Sequence, residues 1–287
     1  MAFHPFKTLL FGFAFSPSLK ANVFEVIRLA SCFKASLLFV HVGEETAEKK
    51  RVFQLLLEEC PEKPKSISIH WIQGAPVQVL HQMCLDFKVD LLLIGALKRE
   101  NVFRFYLGSI ARKLTRGSPC SVLLMLNPSV DRHPCKHIVV NGFDSPQTQD
   151  TVEASFFVGG ALGSQKITLV EEISENRVAV DVNDDKSLRR SILKKEKINR
   201  QEQIRVEDLV KKIQLSQKVG LQWETQSIFG RRGYSIGHYA RVVRADLLVM
   251  NAQENLGFLA RFFPKDIEHI LAELPTDVLI IQSGSHG

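Results

Sequence analysis

Apolar positions along the chain alternate between two spacings. Short, nearly unbroken apolar runs stand at Leu9–Phe13, Leu37–Val42, Ile67–Ile72, Leu91–Ile94 and Val122–Leu126. Between them, residues 18–33, 45–60, 76–88 and 109–117 place apolar side chains three and four apart. The runs predict strands and the intervening segments predict helices. Continuous apolar strands separated by helices belong to a parallel sheet covered on both faces.

The pattern is written twice. "VDLLLIGALK" (89–98) aligns with "ADLLVMNAQE" (245–254), matching Asp90 with Asp246 and Ala96 with Ala252 at an offset of 156. The same offset carries Gly74 onto Gly230 and Pro119 onto Pro275. Near the start, "KTLLFGFAFSP" (7–17) matches "KHIVVNGFDSP" (136–146) at an offset of 129, so the second copy has gained 27 residues, within 172–219. Its strands are predicted near 138–141, 166–170, 222–229, 246–250 and 278–281. The reading is α/β: two open parallel-sheet domains in tandem, 1–127 and 136–287, linked through Pro128 and Pro134. The last strands, "SVLLML" and "DVLIIQ", are expected to join the two domains into a pseudo-dimer and so hide two edges. Further association into a homodimer is left open.

The gained segment mixes basic residues with Ile192, Leu193, Ile198, Ile204, Val206 and Leu209. It predicts a long amphipathic helix packed on the sheet with a solvated basic face. Several acids and a lack of aromatics argue against a membrane-surface or RNA-binding role, so neither membrane nor nucleic acid is expected as a partner. A charge of +6 and a pI near 9.1 favour anionic ligands in general. Five cysteines without Cys-x-x-Cys or zinc spacing predict reduced thiols and a cytoplasmic protein. No apolar run approaches the ~18 residues of a membrane helix, and the N-terminal run reads as a strand rather than a signal peptide.

The candidate chemistry lies in "LLLIGALKRENVFRFYLGSIARKLTRGSPCSVLLML" (91–126). Gly95 follows the fourth strand, where ligands sit in such sheets. Gly95-Ala-Leu-Lys98, nine residues, then Gly108-Ser109 opens a helix, and a helix N-terminus attracts anions. With "ASLLFVHVGE", "GAP" (74–76) and "SPCSVLLML", this spacing resembles the universal stress protein family in its tandem form, over nearly the whole chain except the insertion. The family motif has a glycine where Lys98 stands. The resemblance implies the adenine nucleotide alpha hydrolase-like fold and an ATP or other adenine-nucleotide site in the first domain. It implies that the Val42 backbone meets adenine and that Gly95, Gly108 and Ser109 cradle phosphates. Ala14 stands where nucleotide-binding members have an aspartate. The Lys98 ammonium is placed to interact with phosphate.

In the second copy the motif columns read Asn251, Glu254, Pro264 and Lys265, and the first-strand column is Phe143, beside Asp144. A carboxylate there repels phosphate and proline removes a donor, so no cofactor is expected in that domain. No metal site is expected: His81 with Cys84 gives only two ligands, and His41, His133, His137 and His238 lack partners at ligand spacing. Nucleophile-elbow, Walker and Rossmann patterns are missing, and "GGALG" (159–163) reads as a helix end. The function implied is a non-catalytic stress-response or regulatory protein. The alternatives are a degenerate scaffold for an unknown protein partner and a slow ATP hydrolase for which no base can be named.

Overall fold

A computed structural model describes residues 3–98, 105–106, 108–178, 181–214, 220–231, 233–252 and 265–282, with backbone alone at 97–98, 105–106, 175, 178 and 265–268. The first half contributes β1 (Thr8–Phe13), α1 (Leu19–Cys32), β2 (Ser36–Val42), α2 (Ala47–Glu59), β3 (Ser66–Ile72), α3 (Pro76–Asp86) and β4 (Leu91–Gly95). Then come the short β5 (Leu97–Lys98) and β6 (Phe105–Tyr106), followed by α4 (Ser109–Gly117) and β7 (Ser121–Met125). The second half contributes β8 (His137–Asn141), α5 (Thr148–Leu162), β9 (Lys166–Ser174), α6 (Glu175–Val178), α7 (Asp185–Lys211) and β10 (Gln222–Gly230). It closes with α8 (Ser235–Val242), β11 (Leu247–Asn251), α9 (Lys265–Ala272) and β12 (Asp277–Ile281).

One ten-stranded sheet runs β10-β9-β8-β11-β12-β7-β4-β1-β2-β3. It is two copies of one five-stranded parallel sheet, joined where β12 pairs antiparallel with β7. The seam obeys the repeat. Leu126 N–H donates to the Asp277 carboxylate at 2.8 Å, and Gln282 N–H donates to Ser121 Oγ at 3.1 Å. Ser121 and Asp277, and Leu126 and Gln282, are equivalent positions at the offset of 156, so each copy caps the other's strand end in the self-complementary manner of a two-fold interface. The aligned aspartates also have a structural task. Asp90 accepts from the Lys7 and Thr8 N–H groups, and Asp246 from those of Lys136 and His137.

Strand residues alternate between two cores. Leu9, Phe11, Phe39 and Leu91 pack with Val23, Ile27, Phe53, Phe156 and Val206 on one face. Leu10, Val40 and Leu92 pack with Leu80, Met83, Leu114, Ile236 and Ile270 on the other. The predicted helix end at "GGALG" is the C-cap of α5, where Gly163 adopts φ +72°. The linker is tied down by Arg28, whose Nη2 donates to Val130 O at 2.8 Å. Among the described residues no helix is long and apolar enough to cross a membrane.

The expectation for the insertion needs correction. α7 forms as predicted, but its buried residues are only Glu202, Val206 and Val210. Ile192, Leu193 and Ile204 are exposed. The helix packs on the sheet through its C-terminal part and carries its N-terminal part clear of the core.

Candidate functional site

β1 lies between β2 and β4, so chain connections leave it in opposite directions and a crevice opens at its carboxyl end. A cavity of about 420 Å³ occupies this place. Phe13 of β1 and Ala14, Ser16 and Ser18 of the β1–α1 turn line it, with Asn22 of α1, Val42 of β2, Gly95 of β4, and Gly108 and Ser109 at the mouth of α4. Val40, Leu80, Leu92 and Leu114 supply an apolar wall.

Four of the sequence-predicted residues, Val42, Gly95, Gly108 and Ser109, therefore meet around one cavity, and Ala14 joins them. The fifth, Lys98, pairs with Phe105 in the short antiparallel β5–β6 ladder between the two glycines, described by its backbone. Gly108 is the N-cap of α4, with φ −59° and ψ 163°, and brings no side-chain acceptor to the first N–H groups of the helix. That end of α4 faces the cavity with the positive pole of its dipole.

Gly95 has a packing reason of its own. A Cβ there would lie 2.8 Å from Asn22 Oδ1. Asn22 is 8% exposed; its Nδ2 donates to Ser18 O at 2.9 Å, while Oδ1 has no partner. Sequence reasoning did not single out Asn22, since nothing in its spacing distinguishes a helix asparagine that turns toward a strand end. His41 is buried, and its Nδ1 meets Phe13 O at 3.1 Å among the rings of Phe13, Phe15 and Trp71. It is a packed histidine.

The equivalent end of the second half is built differently. Where His41 pairs with Phe13, the β8–β9 register places Glu171 one step beyond Asn141↔Val170, beside Gly142. Arg205 of α7 donates to Gly142 O at 2.5 Å, to the Glu171 carboxylate, and through Nε to Glu202 at 2.9 Å. Burial pushes the Glu171 carboxyl up to about 8, against the opposing pull of the Arg205 guanidinium. Glu172 accepts from the Gly233 and Ile236 N–H groups at 2.8 Å each, covering the mouth of α8. Asn251, in the column of Gly95, donates to Ser145 Oγ at 3.0 Å. Asp144 lies 3.9 Å from Arg205. Glu254 and Pro264 fall outside the described residues, and Lys265 is described as the first backbone position of α9.

Other candidates resolve as structural groups. His81 Nε2 meets Leu114 O at 3.3 Å and ties α3 to α4; His238 packs its ring on Tyr234. Cys84 and Cys120, distant in sequence, meet thiol to thiol in the core, where the contact and burial push the Cys84 thiol up. Among the described residues no three His, Cys, Asp or Glu side chains converge on a metal position.

Residues 43–125 match the model of the universal stress protein family. A curated relative, a universal stress protein from Thermus aquaticus encoded in the QAH/OAS sulfhydrylase 3′ region, is 27% identical over 139 residues, or 42% of this chain and 98% of the relative. A universal stress protein structure from Archaeoglobus fulgidus superposes with TM-score 0.59 at 14% identity, covering 96% of this chain and 98% of the other. A functionally unknown protein of Pseudomonas aeruginosa does so with TM-score 0.65 at 13% identity, covering 96% and 92%. Both structures span the two halves, and at these identities they speak to fold.

Proposed function

We propose that the chain is a tandem member of the universal stress protein family, matched over residues 43–125, whose first domain, residues 1–127, binds an adenine nucleotide while its second, residues 136–287, does not. The observation that carries this reading is the cavity at the β1–β4 switch point. Its size of about 420 Å³ falls in the range of small-molecule sites, roughly 300–1,000 Å³. In this reading the apolar wall and the Val42 backbone take the base, and Gly95, Gly108, Ser109 and the open end of α4 take the phosphates. Lys98 adds positive charge from the loop between the glycines. Ala14 supplies no carboxylate, so the ribose side of the site relies on backbone and on Ser16 and Ser18.

The described lining residues are glycine, serine, asparagine, proline and apolar types. That set holds no acid to repel phosphate and no general base to activate water. It supports a protein that senses or carries the nucleotide, in a stress-response or regulatory role, over a hydrolase. A second reading, a scaffold that binds no nucleotide, draws on Ala14 and on the Arg205-filled end of the second half.

Calorimetry with ATP, ADP and AMP on the whole chain separates the two, with Gly108→Glu as the variant that puts a carboxylate in the mouth of α4. We expect one site per chain, lost in the variant. Absence of both heat and thermal shift at millimolar ATP would leave the scaffold.

A further inference from the structure

One densely basic segment lies away from the candidate site. Residues 186–200 hold seven basic residues and one acid, Glu196, a net of +6, which equals the whole chain's excess of 37 basic over 31 acidic residues. The remainder of the chain sums to zero, with the basic residues of 98–116 offset by acids elsewhere. These fifteen residues form the part of α7 that stands clear of the core, and Lys186, Arg189, Arg190, Lys195, Lys197 and Arg200 are exposed there.

Aliphatic side chains stand among them. Leu188, Ile192 and Leu193 are 48%, 50% and 55% exposed. The fold adds an aromatic that the sequence does not place nearby: Phe229, on the edge strand β10 and 37% exposed, lies with Lys195 Nζ 5.8 Å from its ring centre. The acids Asp181, Asp184 and Asp185 gather just before the basic stretch, and Asp184 is engaged in capping the helix, accepting from Ser187 N–H at 2.7 Å.

We propose that this half of α7, with Phe229, is a docking surface for an anionic lipid bilayer. Six exposed cations on one helical segment match a layer of phosphate headgroups, since four to eight Lys/Arg on an amphipathic helix suffice for such adsorption. The aliphatics and Phe229 decide the class of partner. A nucleic acid would pair with the cations and leave the aliphatics in water, whereas the interface of a bilayer takes up both, the long Lys and Arg stems spreading around the inserted apolar tips. The contact is peripheral, with α7 lying along the surface while its C-terminal part stays packed on the sheet.

The test is co-sedimentation of the whole protein with phosphatidylcholine vesicles, with and without phosphatidylglycerol, at low and raised salt. We expect binding only to vesicles that contain phosphatidylglycerol, weakened by salt. Arg189→Glu/Arg190→Glu/Lys197→Glu should lower the affinity about 100-fold or more. Ile192→Ser/Leu193→Ser should lower it about tenfold and leave a remainder that salt abolishes. All five positions are exposed, so circular dichroism and the thermal midpoint should stay as in the parent. Failure to bind phosphatidylglycerol vesicles at low salt overturns the proposal. So does binding that the charge reversals or the serine pair leave unchanged, or a preference for duplex DNA over the vesicles.

Discussion

The two halves face the same problem at the end of their first strand and solve it with different chemistry. A backbone carbonyl, Phe13 O in one and Gly142 O in the other, points into a buried place and needs a donor. The first half supplies it from the neighbouring strand, through the His41 imidazole. In the second, Glu171 occupies that strand position, and a guanidinium is brought across from α7 to serve both the Gly142 carbonyl and the Glu171 carboxyl group. The inserted helix thereby becomes a structural requirement of its half. What the difference teaches is that one changed strand residue, His41 in the first half and Glu171 in the second, moves the donor for the same carbonyl from the neighbouring strand to a helix.

The largest effect should come from removing that guanidinium. Arg205→Ala leaves Glu171, whose side chain is 4% exposed, without its ion-pair partner and Gly142 O without its donor. Two buried groups left without their donor cost about 1–3 kcal/mol each. His41→Phe removes one hydrogen bond and keeps the ring packing, a loss of about 1–3 kcal/mol. Urea unfolding of both variants checks the contrast. Equal losses would mean that the two ends are energetically alike.

Much of this architecture was readable from residue patterns. The repeat located both sheets, the strand runs fell at their observed places, and the matched Asp90 and Asp246 proved to hold the same strand starts. Joining of the last strands was also foreseeable, because two exposed apolar edges need covering. Arg205 was not readable. Its partners Gly142, Glu171 and Glu202 lie on three elements, and periodicity reports which face a residue occupies, not what it meets. The same holds for Cys84 with Cys120 and for Asn22 with Gly95. For α7, apolar spacing predicted burial along its whole length, but only Glu202, Val206 and Val210, all in its C-terminal part, are buried.

A smaller effect concerns pH. The Glu171 carboxyl is raised from the usual 4.5 to about 8, so between those values the folded state holds a proton that the unfolded state has released. Stability from this group is therefore fully present below pH ~4.5 and falls as pH rises toward ~8, by at most about 1.4 kcal/mol per pH unit. Asp277, raised to about 7 by burial, acts in the same direction. The informative quantity is thus the difference between the parent and Glu171→Gln. Over pH 5–8 the variant's stability should fall less steeply than the parent's. Parallel curves would place the Glu171 charge in both states of the chain and remove the cost attributed to burying it.

The smallest effect sharpens the comparison where the ligand would sit. The first half pairs a glycine with an asparagine, Gly95 with Asn22. In the second half the same columns hold Asn251 and Thr151, and the Thr151 hydroxyl donates to Gln147 O at 3.1 Å as Asn22 Nδ2 does to Ser18 O. The asparagine stands on the helix in the first half and on the strand end in the second. Gly95→Ala alone should cost about 1–2 kcal/mol, because Asn22 must give way while its amide is anchored. In an Asn22→Thr background the same substitution should cost less, with a coupling of about 1 kcal/mol. Nucleotide affinity measured on the four proteins then separates packing from approach. If Gly95 serves only to make room for Asn22, the double variant binds as the parent does. If the nucleotide backbone must come close to Gly95 itself, the double variant folds normally and still binds weakly, which is the outcome the proposed site requires.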